Sequence, residues 1–281
     1  MSQSILICET FANTLQGEGI RCGYPSLFIR SFGCNLCCVG FGQPDPADPK
    51  TYHEYEITED KSPKYGCDSP KSWHKMFAKL CTKYNSGREF LDYLIDKYSV
   101  DKLKEIVITG GEPLLYDRFY QDFFVELAKE YDNMYTDFIH ITFETNGVLR
   151  PSDELEKILE NPAFKVLWSV SPKLNCVAGV DESKSINIGN LLYYANLRNE
   201  GKCDIQFKFV YNGDQRALDR VKQIQWDLGS AIYPHDIMLM PVGAWENPLE
   251  LKQRTFQVCV ENGFVMTQRL HVELFGSRNG I

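Results

Sequence analysis

The stretch Glu105-Ile106-Val107-Ile108-Thr109-Gly110-Gly111-Glu112-Pro113 decides the fold. A short β-branched run ends on two glycines and a proline, and residues 116–131 then follow with helical spacing of apolar side chains. A buried strand, a polar turn and a crossover helix form the repeating unit of a parallel sheet. The unit recurs along the chain. Strands are expected at 26–32, 105–109, 139–144, 166–170, 205–210 and 237–240. Helices are expected at 71–84, 87–98, 116–131, 152–159, 183–199, 215–227 and 248–262. Six units fall short of the eight in a closed barrel, so the expected class is α/β, a partial (incomplete) β/α barrel of about six parallel strands.

Ligands of such folds gather at the C-terminal ends of the parallel strands. Here those ends carry Gly33-Cys34, Thr109-Gly110-Gly111-Glu112-Pro113, Glu144-Thr145-Asn146-Gly147 and Ser171-Pro172-Lys173. Glycine lets backbone approach a ligand closely, and proline ends strand pairing. Residues 39–66 break the rhythm with four prolines, many charges and no amphipathic period. They read as a long loop or lobe inserted into one domain spanning 1–281.

Composition narrows the class of function. With 281 residues, 43% hydrophobic and 24% charged, the chain is globular. A net charge of −8 argues against nucleic acid as the main partner. No run approaches the ~18 apolar residues of a membrane span. Residues 1–10 show no basic segment followed by an apolar run, so no secretory signal is expected and the ten cysteines read as thiols of a reducing, cytoplasmic setting.

Cys34, Cys37 and Cys38 crowd into five residues, and Cys67 lies beyond the irregular segment. Three converging thiolates such as Cys34, Cys38 and Cys67 can hold three irons of a four-iron cluster and leave the fourth open to a ligand. Zinc competes, with His53 or His74 closing a tetrahedron, and Cys37 competes with Cys38 for the second position. Cys8, Cys22, Cys81, Cys176, Cys203 and Cys259 read as ordinary core thiols.

The blocks Gln16-Gly17-Glu18-Gly19, Pro25-Ser26-Leu27-Phe28-Ile29-Arg30 and Gly33-Cys34-Asn35-Leu36 resemble the opening of a radical S-adenosylmethionine (SAM) enzyme, and more narrowly the 7-carboxy-7-deazaguanine synthase family of queuosine biosynthesis. The likeness continues through Ile108–Pro113, Glu144–Gly147, Val170–Lys173 and Arg269-Leu270-His271. It departs at the cysteine signature, where the usual spacing would place the third ligand at Phe41. Cys67-Asp68-Ser69, followed by Trp73, copies the text that normally surrounds that ligand, so the insertion lies between the second and third cysteines.

The resemblance implies one 4Fe–4S cluster on Cys34, Cys38 and Cys67, SAM on its open iron, and Mg2+ at Ser69, a residue that can also cap a helix beginning near Pro70. It implies SAM contacts from Gly66, Asp68, Gly110, Gly111, Glu112, Glu144, Asn146, Ser171, Lys173, Met240 and Gly243. It implies substrate contacts from Leu15, Gln16, Gly17, Glu18, Arg30, Thr109, His271 and the terminal Ile281. Reductive SAM cleavage would give a radical that opens the ring contraction of 6-carboxytetrahydropterin, with loss of ammonia. The radical comes from the cofactor, so no side chain is assigned that step. Glu18 suits the donors of a guanine-like ring and Arg30 suits a carboxylate, unless the two simply pair with each other. A reductant such as flavodoxin and a homodimer are implied as partners. The contrasting functions are an activase that installs a glycyl radical on a partner protein, and a non-enzymatic zinc or iron–sulfur module.

Overall fold

The computed structural model describes residues 3–54, 57–58, 63–98, 105–134, 138–243 and 248–276. Nine strands form one open sheet in the order β3-β1-β2-β4-β5-β6-β7-β8-β9. They are β1 (Ile5–Leu15), β2 (Pro25–Ser31), β3 (Thr82–Tyr84), β4 (Glu105–Gly110), β5 (Ile139–Thr145), β6 (Phe164–Val170), β7 (Asp204–Tyr211), β8 (Ile237–Pro241) and β9 (Val265–Met266). All six expected strands are present, and from β2 through β4 to β9 every neighbouring pair is parallel. β1 is antiparallel to both β2 and β3. The sheet edges, β3 and β9, do not pair with each other, so the barrel stays incomplete.

Along the central strands apolar side chains facing the helices alternate with lumenal ones that include Glu105, Thr109, Thr142, Glu144, Gln206 and Lys208. In β4 every residue except Gly110 is buried, and β8 is buried throughout. Helix α1 (Gly87–Lys97) and α2 (Asp117–Met134) join Phe90, Phe119, Phe123 and Phe124 in one aromatic cluster, in which Phe124 meets Phe143, whose ring stacks on Trp168 at 4.5 Å. The remaining helices are α3 (Asp153–Leu159), α4 (Asn175–Ala178), α5 (Glu182–Ser185), α6 (Ile188–Asn199), α7 (Gln215–Leu228), α8 (Leu249–Asn262) and α9 (Leu270–Phe275). In α7 the stripe Ala217, Leu218, Val221, Ile224 and Leu228 is buried, and the Asp214 carboxylate caps the first turn by accepting from Arg216 N.

Three local expectations change. The helix expected at 71–84 is two 3-10 segments, Pro70–Ser72 and Lys75–Leu80, followed by β3. Thr82, Lys83 and Tyr84 are drawn into pairing with Ile7, Leu6 and Ile5, a long-range ladder that outweighs local helical spacing. The helix expected at 183–199 is interrupted at Ile186 and Asn187, where the Asn187 side chain accepts from Asn190 N and starts α6 afresh. Strand β1 was not expected, because Glu9, Thr10, Asn13 and Thr14 blur its alternation.

The turn between β1 and β2 folds into the lumen. Arg21 donates to Thr142 Oγ1 at 3.0 Å and to the Lys165 carbonyl at 2.8 Å, and it pairs with the fully buried Glu105. Gly19 N donates to Thr267 Oγ1 and Leu270 N donates to the Gly17 carbonyl, so the turn also meets the segment after β9. Loop contacts therefore bridge the seam that strand pairing leaves open.

The described part of 39–66 is irregular, with one 3-10 turn at Pro49–Thr51. It docks on α4 through backbone: Gly40 N donates to the Ala178 carbonyl at 2.9 Å, and a Cβ on Gly40 would lie 2.5 Å from Gly179 N. The packing of Phe41, Leu36 and Cys67 around Cys38, Ala178 and Val180 continues that contact beside the cysteines.

Candidate active site

One cavity opens at the C-terminal ends of the parallel strands. Cys34, Cys38 and Cys67 all line it, and the exposed Cys37 does not. Gly111 explains how the first cysteine is placed. Glu112 N donates to the Gly33 carbonyl at 2.8 Å, and a Cβ on Gly111 would collide with Gly33 and stand 2.8 Å from Cys34 Cβ. The two strand-end loops are thus in backbone contact, which only glycine permits.

Burial pushes all three thiols above their ordinary pKa, Cys38 to about 12, with Lys173 partly opposing the rise at Cys34 and Cys38. Among the described residues no three His, Cys, Asp or Glu side chains stand close enough to hold a single metal ion. A four-iron cluster carries its own bulk and takes its thiolates from further apart. His74 instead caps the Lys75–Leu80 turn, and the His53 ring packs against Tyr65.

Of the residues assigned to SAM, Gly66, Asp68, Gly110, Gly111, Glu144, Asn146, Ser171, Lys173, Met240 and Gly243 line the cavity. Lys173 Nζ donates to Ser171 Oγ at 2.9 Å, and Asn146 Nδ2 donates to Asn35 Oδ1 at 2.7 Å beside the first cysteine. Glu112 is a correction. It is fully buried and absent from the cavity wall, and its carboxylate accepts from Thr145 Oγ1, Asn146 N and Leu114 N. Its side chain fastens one strand-end loop to the next. Glu144 accepts from Thr109 Oγ1 at 2.9 Å and Gln16 Nε2 at 3.4 Å. The structure therefore groups it with residues assigned to the substrate.

Of that second set, Leu15, Gln16, Gly17, Glu18, Arg30, Thr109 and His271 line the cavity, and Ile281 lies outside the described residues. Glu18 and Arg30 do not pair with each other. Arg30 Nε donates to Glu9 at 2.9 Å and its Nη1 reaches Ser69 Oγ at 3.4 Å. Glu18 accepts from Lys208 Nζ. Burial opposes the Glu18 charge, but Lys208 and Arg269 outweigh it and hold the carboxyl below its ordinary range. Burial lowers the His271 pKa despite nearby Glu18, so the ring faces the cavity neutral near pH 7. Ser69 precedes the Pro70–Ser72 turn without capping it by its side chain. Its hydroxyl instead lies 3.3 Å from Asp68 Oδ1.

Lys208, Arg269 and Glu9 were not singled out from the sequence. Lys208 had a signal: a lone lysine alternating with Phe207 and Phe209 in a strand must face a polar lumen. Arg269 opens the block that contains His271, donates to Asp68 at 2.5 Å and to the Gly243 carbonyl, and so ties the third-cysteine loop to the loop after β8. Glu9 was hidden with β1.

The Radical SAM superfamily profile matches residues 67–171. A 7-carboxy-7-deazaguanine synthase of Halobacterium salinarum is 27% identical over 282 residues, covering 93% of this chain and 87% of the relative. That of Pyrobaculum aerophilum is 26% identical and covers 98% and 97%. The chain carries a Radical SAM superfamily match and resembles the 7-carboxy-7-deazaguanine synthases along nearly its whole length. The crystal structure of QueE from Escherichia coli shares its fold, with a TM-score of 0.55 at 19% identity over 94% of this chain and 93% of that one. Radical SAM chemistry requires a 4Fe–4S cluster and SAM, and the three thiols facing one cavity fit such a cluster. No helix among the described residues is long and apolar enough to cross a membrane.

Proposed function

We propose that this radical SAM enzyme converts 6-carboxy-5,6,7,8-tetrahydropterin to 7-carboxy-7-deazaguanine with release of ammonia. The observation that carries this reading is a single cavity with three thiols at one end and Glu18, Arg30, Thr109 and His271 on the rest of its wall. Bound there, the cluster and SAM supply the hydrogen-abstracting radical. Cys34, Cys38 and Cys67 hold the cluster. Gly110, Gly111, Gly66, Asp68, Asn146, Ser171 and Lys173 hold SAM, with Met240 and Gly243 beside it. Glu18 accepts the ring donors, and Arg30, already oriented by Glu9, presents its outer nitrogens to the substrate carboxylate. Leu15, Gln16 and Gly17 add contacts from the lumenal turn, and Ile281 is read as a further substrate contact. The Ser69 hydroxyl and the adjacent Asp68 carboxylate offer hard oxygens to Mg2+, with substrate oxygens and water completing the octahedron.

The same reading takes 1–281 as one domain bearing a lobe at 39–66, supported by one main apolar core. It includes a one-electron donor such as flavodoxin, a homodimer and a cytoplasmic setting.

Anaerobic incubation with SAM, reductant and 6-carboxytetrahydropterin tests the activity. A deazapurine product is expected, and SAM cleavage without that product would sink the reading. Cys67→Ala should lose iron after reconstitution whereas Cys37→Ala retains it, measured as iron and sulfide per chain. Loss in Cys37→Ala alone would reassign the second and third ligands.

A further inference from the structure

We propose that Lys208 reads the ring carbonyl of the ligand, selecting a 2-amino-4-oxo ring over its 2,4-diamino counterpart. The inference rests on the pterin reading and deepens it. Gln206, Lys208 and Val210 alternate onto the lumenal face of β7, where Gln206 Oε1 accepts from Ile20 N of the inserted turn. The Lys208 side chain is 7% exposed, and Lys208 lines the cavity. A buried ammonium has three donors to satisfy. One goes to Glu18 Oε2, and Glu144 Oε1 stands 4.0 Å away.

The two carboxylates differ in what they have left to offer. Glu144 is occupied on both oxygens, by Thr109 and by Gln16. Glu18 accepts Lys208 on one oxygen, and among the described residues no hydrogen bond reaches its Oε1. The cavity wall therefore presents an acceptor and a charged donor side by side. A 2-amino-4-oxo ring presents the complement along one edge: an exocyclic amine and a ring N–H as donors, then a carbonyl as acceptor. Glu18 takes the donors and Lys208 donates to the carbonyl. Replacing that carbonyl with an amine sets donor against donor at Lys208 and turns the ring N–H into a bare acceptor facing Glu18, the kind of mismatch that discriminates strongly. Glu18 senses the loss of the ring N–H and Lys208 the loss of the carbonyl, so removing Lys208 should cut the preference without abolishing it.

Fluorescence titration of the anaerobically reconstituted enzyme with pterin-6-carboxylate and with 2,4-diaminopteridine-6-carboxylate tests this. The wild type should favour the oxo ligand by at least about tenfold. Lys208→Met should cut the preference at least about threefold while SAM affinity and iron content hold, and Lys208→Arg should restore part of it. A preference unchanged in Lys208→Met overturns the inference. Wild-type enzyme that makes the deazapurine but binds both ligands equally overturns it too, whether or not any variant folds, and leaves the pterin reading standing. Wild type that binds neither ligand and makes no product overturns both.

Discussion

Glu112 and Glu18 are two carboxylates at loop positions around one cavity, and they do opposite things. Glu112 is fully buried and accepts three hydrogen bonds from the protein, yet burial still raises its pKa. Glu18 lines the cavity beside Lys208, and its pKa is lowered. Hydrogen bonds from neutral groups fix Glu112 in place without offsetting its lost hydration, whereas a buried cation does offset that of Glu18. The contrast separates scaffold from ligand contact more clearly than sequence motifs do, because Glu112 belongs to the more recognisable block.

The largest effect should come from breaking the scaffold. Glu112→Ala strands Thr145 Oγ1 and Asn146 N and should cost about 3 kcal/mol of stability by denaturant melts. An effect within error would mean that Glu112 is not the fastener described. Glu18→Gln should act on the ligand instead, weakening pterin-6-carboxylate about tenfold or more with a smaller change in the melt. Equal loss of fold in the two variants would erase the distinction.

pH sharpens the same comparison. Above the ordinary carboxyl pKa near 4.5, the raised Glu112 makes stability fall as pH rises toward its folded value, since the folded state holds the extra proton. Glu18, with its lowered pKa, contributes stability that is present above 4.5 and lost as pH falls through its folded value. Relative to wild type, Glu112→Gln should therefore gain stability on the alkaline side of 4.5, and Glu18→Gln should lose less stability on the acid side. Matching pH curves would refute the opposite assignments. A smaller effect belongs to Gly17→Ala, whose Cβ would lie 2.9 Å from His271 Nδ1. Displacing that ring should raise KM about two- to fivefold with little change in kcat. An unchanged KM would remove His271 from the ligand's surroundings.

Short β-branched or apolar runs revealed β4 and β8, and helical spacing revealed α7 through its buried stripe. Periodicity missed β1, whose polar residues serve the cavity, and it took 71–84 for a helix because nothing local announces pairing with Ile5–Ile7. The site was largely readable in its glycines, cysteines and Ser-Pro-Lys block. Glu112 was assigned a backbone contact from its motif, and its burial away from the cavity wall was not legible there. Lys208 was overlooked because its meaning depends on Glu18, 190 positions away in the chain.

The seam bridged by Gly17, Gly19, Thr267 and Leu270 has a dynamic consequence. A few loop hydrogen bonds there stand where a continuous ladder holds β4 to β8 together. Opening that seam costs far less than parting two core strands, so native-state amide exchange should reach Gly19 and Leu270 by local fluctuation, and Phe143 and Trp168 only through global unfolding. The enzyme can thus part its wall beside the ligand while the framework that aligns the cysteines stays shut.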